Sequence, residues 1–210
     1  MKFSPFLILL LSGTGLAAAP DDGLPAQKAP LRQKRELRDV LTWCYHLQND
    51  EGDLSAHLSS PFDLFVLDYS RDGSEDGRYT QEEIAELKEA EGRRRFVLAY
   101  LSIGEAEDYR YYWEDEWWES PPSWLGPENP EWPGNYTVRY WEVGWQNIVR
   151  EYLEQILAAG FDGVYLDRID AYEFWEEENP RAAEDMVSLV RLIRQWGEEE
   201  KGGKTHYSSF

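Results

Sequence analysis

Two acidic residues close the strongest apolar runs of this 210-residue chain, Glu105 in YLSIGEAE and Asp167 in VYLDRID. A carboxylate at the end of a buried strand can act as a glycosidase nucleophile or general acid. Such chemistry uses one group to stabilise an oxocarbenium-like centre and a second to protonate the leaving oxygen. Strand-end carboxylates also cap loop amides or form ion pairs, and Arg168 stands next to Asp167. Two of them at the ends of strands in one sheet favour the chemical reading.

The second feature is aromatic. Seven of the ten Trp lie between Tyr109 and Trp145, interleaved with five Pro from Pro121 to Pro133. So many Pro predict a long loop, and so many large rings predict an ordered one. Flat aromatic faces suit the C–H surfaces of sugar rings and also attract cations. More than half of these rings are expected to pack the loop onto the fold; Trp113 and Trp141, near strand ends, are the candidates for binding.

Three look-alikes carry less. DYSRDG (68–73) copies the opening of a calcium loop, but Tyr79 occupies the position of the bidentate Glu. GGKT (202–205) ends like a phosphate loop, yet Glu198 replaces its first Gly and a helix precedes it. His46, His57 and His206 are scattered without zinc-ligand spacing. No metal or cofactor is expected. NYT (135–137) matches a glycosylation sequon, relevant only in a eukaryotic source.

The elements that position these residues alternate. Strands are predicted at 40–48 (VLTWCYHLQ), 63–70 (DLFVLDYS), 95–105 (RFVLAYLSIGE), 135–141 (NYTVRYW) and 163–167 (GVYLD). The run at 63–70 is apolar enough to be buried on both faces. Between them fall helices: one opened by a Thr80/Glu83 capping box, one carrying Trp145, Ile148, Val149, Tyr152 and Ile156 before Gly160, and one starting at Asn179–Pro180. Strand–helix alternation implies right-handed crossovers and a parallel sheet. Acidic or aromatic groups end several strands (Asp68, Glu105, Trp141, Asp167), which is how a (β/α)8 barrel builds a site; an open sheet would gather it at one switch point. A full barrel takes about 250 residues. With about five βα units, an incomplete barrel is expected.

Composition bounds the rest. The formal charge is −20, from 21 Lys and Arg against 41 Asp and Glu, so a polyanion is repelled and nucleic-acid binding is not expected. With 42% hydrophobic and 15% aromatic residues the chain can build a core. Lys2, the apolar run Phe6–Leu11 and the small residues up to Ala19 follow the plan of a secretory signal peptide over 1–19. Residues 20–37 read as a flexible tether, and 38–210 as the barrel portion. The chain is therefore expected to be secreted or periplasmic, with no membrane segment after cleavage. Cys44 is the only cysteine, so no internal disulfide is available.

The stretches YLSIGEAEDYRYYW (100–113), NPEWPGNYTVRYW (129–141) and GFDGVYLDRIDAYEFW (160–175), with WCYHLQ and DLFVLDYS upstream, resemble glycoside hydrolase family 114. These are secreted TIM-barrel proteins related to endo-α-1,4-polygalactosaminidases. The resemblance runs from about Trp43 to Trp196 and implies a substrate with α-linked galactosamine. Within the motif GFDGVYLD it places a catalytic carboxylate on Asp167, most simply the nucleophile. The family's partner Glu lies on a later strand with no counterpart here, and KGGKTHYSSF does not match the expected continuation. Glu105 is the candidate substitute, as a second catalytic residue. Asp68 and Asp170 are expected to line the site, and Trp43, Tyr100, Tyr112, Trp113 and Trp141 to supply a sugar platform. The alternative is a truncated relative that binds polysaccharide without cleaving it. The cationic character of deacetylated galactosamine would suit the acidic chain.

Overall fold

The computed structural model describes residues 7–10, 36–47 and 53–203. In chain order the elements are β1 (Leu7–Leu10), β2 (Trp43–His46), α1 (Ser55–Leu58), β3 (Leu64–Leu67), α2 (Gln81–Glu89), β4 (Phe96–Ser102) and β5 (Glu105–Glu107). They continue with β6 (Leu125–Glu128), β7 (Asn135–Val138), α3 (Val143–Ala158), β8 (Gly163–Asp167), α4 (Tyr172–Trp175) and α5 (Ala182–Gly203). Most of the expected signal and tether segments lie outside the described residues.

The main sheet has the order β1-β8-β4-β3-β2. Its strands β2, β3, β4 and β8 run parallel, in register from Trp43↔Leu64 through Leu64↔Phe96 to Leu98↔Gly163. Strand β1 lies antiparallel along the outer edge of β8, Leu7 opposite Leu166.

Side-chain alternation along these strands divides the core in two. Phe65, Leu67, Val97, Ala99, Leu101, Val164 and Leu166 face the helices and join one large cluster with Ile84, Leu87, Val149, Leu153, Ile156, Leu189 and Ile193. Leu64, Val66, Phe96, Leu98, Tyr100 and Tyr165 form a second cluster on the other face, which corresponds to the barrel interior. Continuous apolar runs such as LFVL are required because both faces are covered; each such side chain contributes about 1.5–3 kcal/mol on burial.

The helices follow local signals. Thr80 accepts from the Glu83 amide at 3.2 Å while Glu83 accepts from the Thr80 amide at 2.9 Å, the reciprocal box predicted for the start of α2. Lys88 near the end of α2 pairs with Asp162 at 2.7 Å and donates to the Gly160 carbonyl at 3.0 Å, fixing the turn that enters β8. Gly160 sits at φ 93°, a conformation that favours glycine and lets α3 end there.

One predicted strand is misplaced by the sequence reading. Residues 135–141 were expected in the parallel sheet, whereas β7 stops at Val138 and belongs to a separate antiparallel sheet, β5-β7-β6. The reason is a break in 95–105: β4 ends at Ser102, and β5 restarts at Glu105 in pairing with Thr137. Gly104 allows that break, since a Cβ there would stand 2.3 Å from the Arg168 carbonyl oxygen and 2.4 Å from Ala171 Cβ. The described residues thus hold four parallel strands of the barrel type rather than five, and Glu105 lies beyond the end of β4. Among the described residues no helix is long and apolar enough to cross a membrane.

Candidate active site

Asp167 ends β8, and Tyr100 projects from β4 on the same face of the sheet. The Tyr100 hydroxyl donates to Asp167 Oδ2 at 2.7 Å, and Asp167 Oδ1 is buried without a hydrogen-bond partner among the described residues. Burial, then the negative charges of Glu107 and Asp167, push the Tyr100 phenol well above its ordinary range, so it remains a donor. Tyr165, two residues before Asp167, is pushed up to about 12 by burial and the Asp167 charge.

Rings lead across the interior face toward Asp167. Trp43, 53% exposed, meets Tyr45 edge-on at 6.3 Å, and Tyr45 meets Tyr165 at 5.5 Å. Burial and the Asp167 charge raise the Tyr45 phenol as well.

Glu105 is 2% exposed and anchored differently. Its Oε1 accepts from Asn129 Nδ2 at 2.8 Å and pairs with Arg168 Nη2 at 2.9 Å. Burial raises its pKa; Arg168 and Asn129 oppose the shift, and the charges of Asp167 and Glu107 add to it. Arg168 follows Asp167 with φ 60°, a left-handed conformation that costs a non-glycine residue about 1 kcal/mol or more. The same side chain reaches toward Asp170 Oδ1 at 3.9 Å, beyond hydrogen-bond length.

Asp68 does not stand open as a lining residue. Arg110 donates to both its oxygens, at 2.6 and 2.8 Å, and through Nε to Glu107 Oε2 at 2.7 Å. The Arg110 side chain is 1% exposed, and the two carboxylates hold its pKa well above the ordinary value against the effect of burial. Tyr109 adds a hydrogen bond to Glu107 Oε1 at 2.6 Å.

Several expected platform residues pack elsewhere. Tyr112 lies against Trp145 and Tyr152 on the helix side, and its hydroxyl accepts from the Glu107 amide at 3.0 Å. Trp141 stands edge-on to Trp175 at 5.6 Å, also in the helix-side core. Both half-buried rings hold the loop to the fold. Trp113 belongs to a group with Trp117, Trp118 and Tyr136. Trp43, Tyr100, Glu105, Asp167 and Asp170 lie near the strand ends or on the interior face.

Sequence reasoning overlooked Arg110, Glu107, Asn129, Tyr45 and Tyr165. Glu107 had a signal, since it shares a strand face with Glu105 two residues away. Arg110 had a weaker one, as the lone basic residue in EDYRYYWED.

In the calcium-like loop, Asp72 Oδ1 accepts from Ser70 and Ser74 hydroxyls at 3.1 and 2.7 Å, while Asp68 is held by Arg110. Among the described residues no group of three or more His, Cys, Asp or Glu is arranged to hold a metal ion.

An uncharacterized protein of Methanocaldococcus jannaschii is 48% identical over 157 residues, 73% of this chain and 44% of that protein. One from Thermotoga maritima is 45% identical over 164 residues, 76% of this chain and 49% of that protein. The chain spans about half the length of the curated relatives it matches. Among solved structures it is similar to Aspergillus fumigatus Ega3, crystallised with galactosamine, at TM-score 0.51 and 21% identity, covering 76% of this chain and 55% of that one. It is also similar to the glycoside hydrolase domain of PelA from Pseudomonas aeruginosa, at TM-score 0.56 and 15% identity, covering 81% and 65% respectively. At these identities the likeness is one of fold. The neighbours are TIM-barrel glycoside hydrolases, and the parallel arc β2-β3-β4-β8 is the corresponding portion of a (β/α)8 barrel. The model of glycoside hydrolase family GH114 matches residues 24–199, and the chain belongs to that family.

Proposed function

We propose that this chain is the site-bearing part of an exported glycoside hydrolase that cleaves α-1,4-linked galactosamine-containing polysaccharide, with Asp167 as the carboxylate that attacks or stabilises the anomeric carbon. The observation that carries the reading is the state of Asp167. Its Oδ2 is held by Tyr100 at 2.7 Å, while Oδ1 has no hydrogen-bond partner among the described residues, at the end of a parallel strand. An oriented carboxylate with one oxygen uncommitted suits an electron-poor anomeric centre. The family, and the galactosamine complex of Ega3, support the substrate class. Trp43 and Tyr45, the exposed rings of the same face, would offer surface to a sugar.

Glu105 is the second carboxylate of the proposal. Burial raises its pKa, in the direction a general acid needs, while Arg168 and Asn129 both hold the same oxygen, Oε1. That double anchorage favours a second reading, in which the chain binds the polysaccharide without cleaving it.

The test measures reducing ends released from α-1,4-linked galactosamine polymer by the 210-residue protein and by Asp167→Asn. Loss of turnover in a folded variant supports hydrolysis at Asp167; unchanged turnover sinks that assignment. Saturable binding with no release from either protein selects the binding reading.

A further inference from the structure

The antiparallel sheet carries an aromatic face that the proposed cleavage at Asp167 does not use. Trp113, Trp118 and Tyr136 are mutually in contact, with ring centroids 5.1 Å apart for Trp113–Trp118, 4.9 Å for Trp113–Tyr136 and 5.9 Å for Trp118–Tyr136. Trp117 meets Trp113 at 5.2 Å and Trp124 at 5.0 Å, and Trp124 is buried, so the group is anchored from below. Trp118 is nonetheless 55% exposed. The exposed ring is held in a fixed orientation by its contacts with Trp113 and Tyr136.

The charge around this face has one sign. From Tyr111 to Val138 the sequence holds six acidic residues and no Lys, Arg or His. The arginines bounding the stretch are engaged elsewhere: Arg110 with Asp68 and Glu107, and Arg139 with Glu178 at 2.8 Å and the Ser123 carbonyl at 2.8 Å. Asp108 and Glu128 flank Tyr136. Burial first, then the charge of Glu128, raises the pKa of Asp108, and burial first, then Glu128 and Asp108, raises that of Tyr136. Glu128 also accepts from the Gly134 amide at 2.8 Å, which fixes the hairpin turn. Two like charges beside the half-buried Tyr136, itself in contact with the exposed Trp118, are relieved by a cation that also offers an apolar face.

We propose that Trp113, Trp118 and Tyr136, with Asp108 and Glu128, form a binding subsite for a cationic 2-amino sugar chain, separate from the reacting carboxylate. The C–H faces of the sugar cover the exposed ring, and its ammonium groups meet the two carboxylates. In the sheet Tyr136 pairs with Ala106, so its side chain lies on the face opposite to that of Glu105. The substrate class rests on the proposed function, whereas binding here is separable from cleavage at Asp167.

Isothermal titration in an Asp167→Asn background tests this, with α-1,4-linked galactosamine oligomers as probe and their fully N-acetylated counterparts as control. Trp118→Ala should weaken binding of the amine form on the order of tenfold. Asp108→Asn, a milder change, should weaken it about threefold, with the difference shrinking as salt rises. The acetylated oligomers should bind more weakly to the parent. The subsite is overturned if both variants bind like the parent, or if acetylated oligomers bind as tightly as free amines. Failure of the hydrolase reading alone would look different: no reducing ends from the protein with Asp167 intact, with this binding and its salt dependence preserved.

Discussion

The hydroxyl of Tyr100 and Oδ2 of Asp167 lie 2.7 Å apart, joining the ends of two adjacent parallel strands through a hydrogen bond between side chains 67 positions apart. Ser102 pairs with Asp167 in the ladder, so the tyrosine reaches the carboxylate diagonally along one face. The bond orients the carboxylate and leaves the buried Oδ1 without a hydrogen-bond partner among the described residues.

Tyr100→Phe keeps the ring in the interior cluster and removes only that donor. A hydrogen bond to a charged group is worth about 1.5–3 kcal/mol. With Asp167 as the proposed reacting group, kcat should fall about tenfold to a hundredfold while KM changes little. Steady-state kinetics on the galactosamine polymer check this, with circular dichroism to establish that the variant folds. An effect confined to KM would assign Tyr100 to substrate binding instead.

Arg110 presents a different energy balance. It is enclosed by Asp68, Glu107 and the rings of Tyr109 and Tyr152, with its guanidinium 4.8 and 5.8 Å from those ring centroids. Arg110→Met would strand two carboxylates, at a cost of about 3–5 kcal/mol. Adding Asp68→Asn and Glu107→Gln to the same protein removes the stranded charge and should recover much of the loss. Urea unfolding of the single and triple variants measures both. Equal destabilisation would show that packing of the arginine, rather than its charge, is what the fold needs.

The parts of this fold legible in the sequence are those set by neighbours in the chain. LFVL, FVLAYLS and GVYLD announce themselves by composition, and the Thr80/Glu83 box by a spacing of three. The separate antiparallel sheet was not legible, because NYTV carries the same strand preference in either sheet; Gly104 and its contact with Arg168 divert the chain there. Asp167 was visible as a strand ending, whereas Glu105, read as one, opens β5, and the states of both carboxylates were not visible. Arg110 reaches Asp68 across 42 positions and Asn129 reaches Glu105 across 24, distances at which local pattern carries no information. Nor could composition separate Tyr112 and Trp141, which pack inward, from Trp43 and Trp118, which do not.

Gly104 therefore offers a test of how the turn and the site are coupled. Gly104→Ala would drive a methyl group against the Arg168 carbonyl and Ala171, neither of which is a flexible chain end. Overpacking of this kind costs about 1–3 kcal/mol. The predicted outcome is a lower unfolding temperature together with disturbed Arg168–Glu105 pairing, visible as changed chemical shifts at Arg168 and Asn129. A variant with the parent's stability and shifts would mean that the β4–β5 break tolerates a side chain.

The histidine pair gives the pH dependence. His46 Nδ1 and His57 Nε2 are 3.0 Å apart with their rings stacked, and His57 is buried against Phe65. Burial first, then the neighbouring His46, lowers the pKa of His57, while Asp53 opposes the shift. Because the folded value lies below the unfolded one, the unfolded chain binds the proton more readily in the interval between them. Stability from this group is therefore complete above the unfolded value, near 6.5, and is lost as the pH falls from there through the folded value. Unfolding by urea at pH 7.5 and at pH 5.0 should show the parent losing stability on acidification, and His57→Gln losing less. Every other titrating group is common to the two proteins, so the comparison between parent and variant isolates the imidazole. An identical loss in both would place the acid sensitivity elsewhere, and the contact between His46 and His57 would then be packing without a titration consequence.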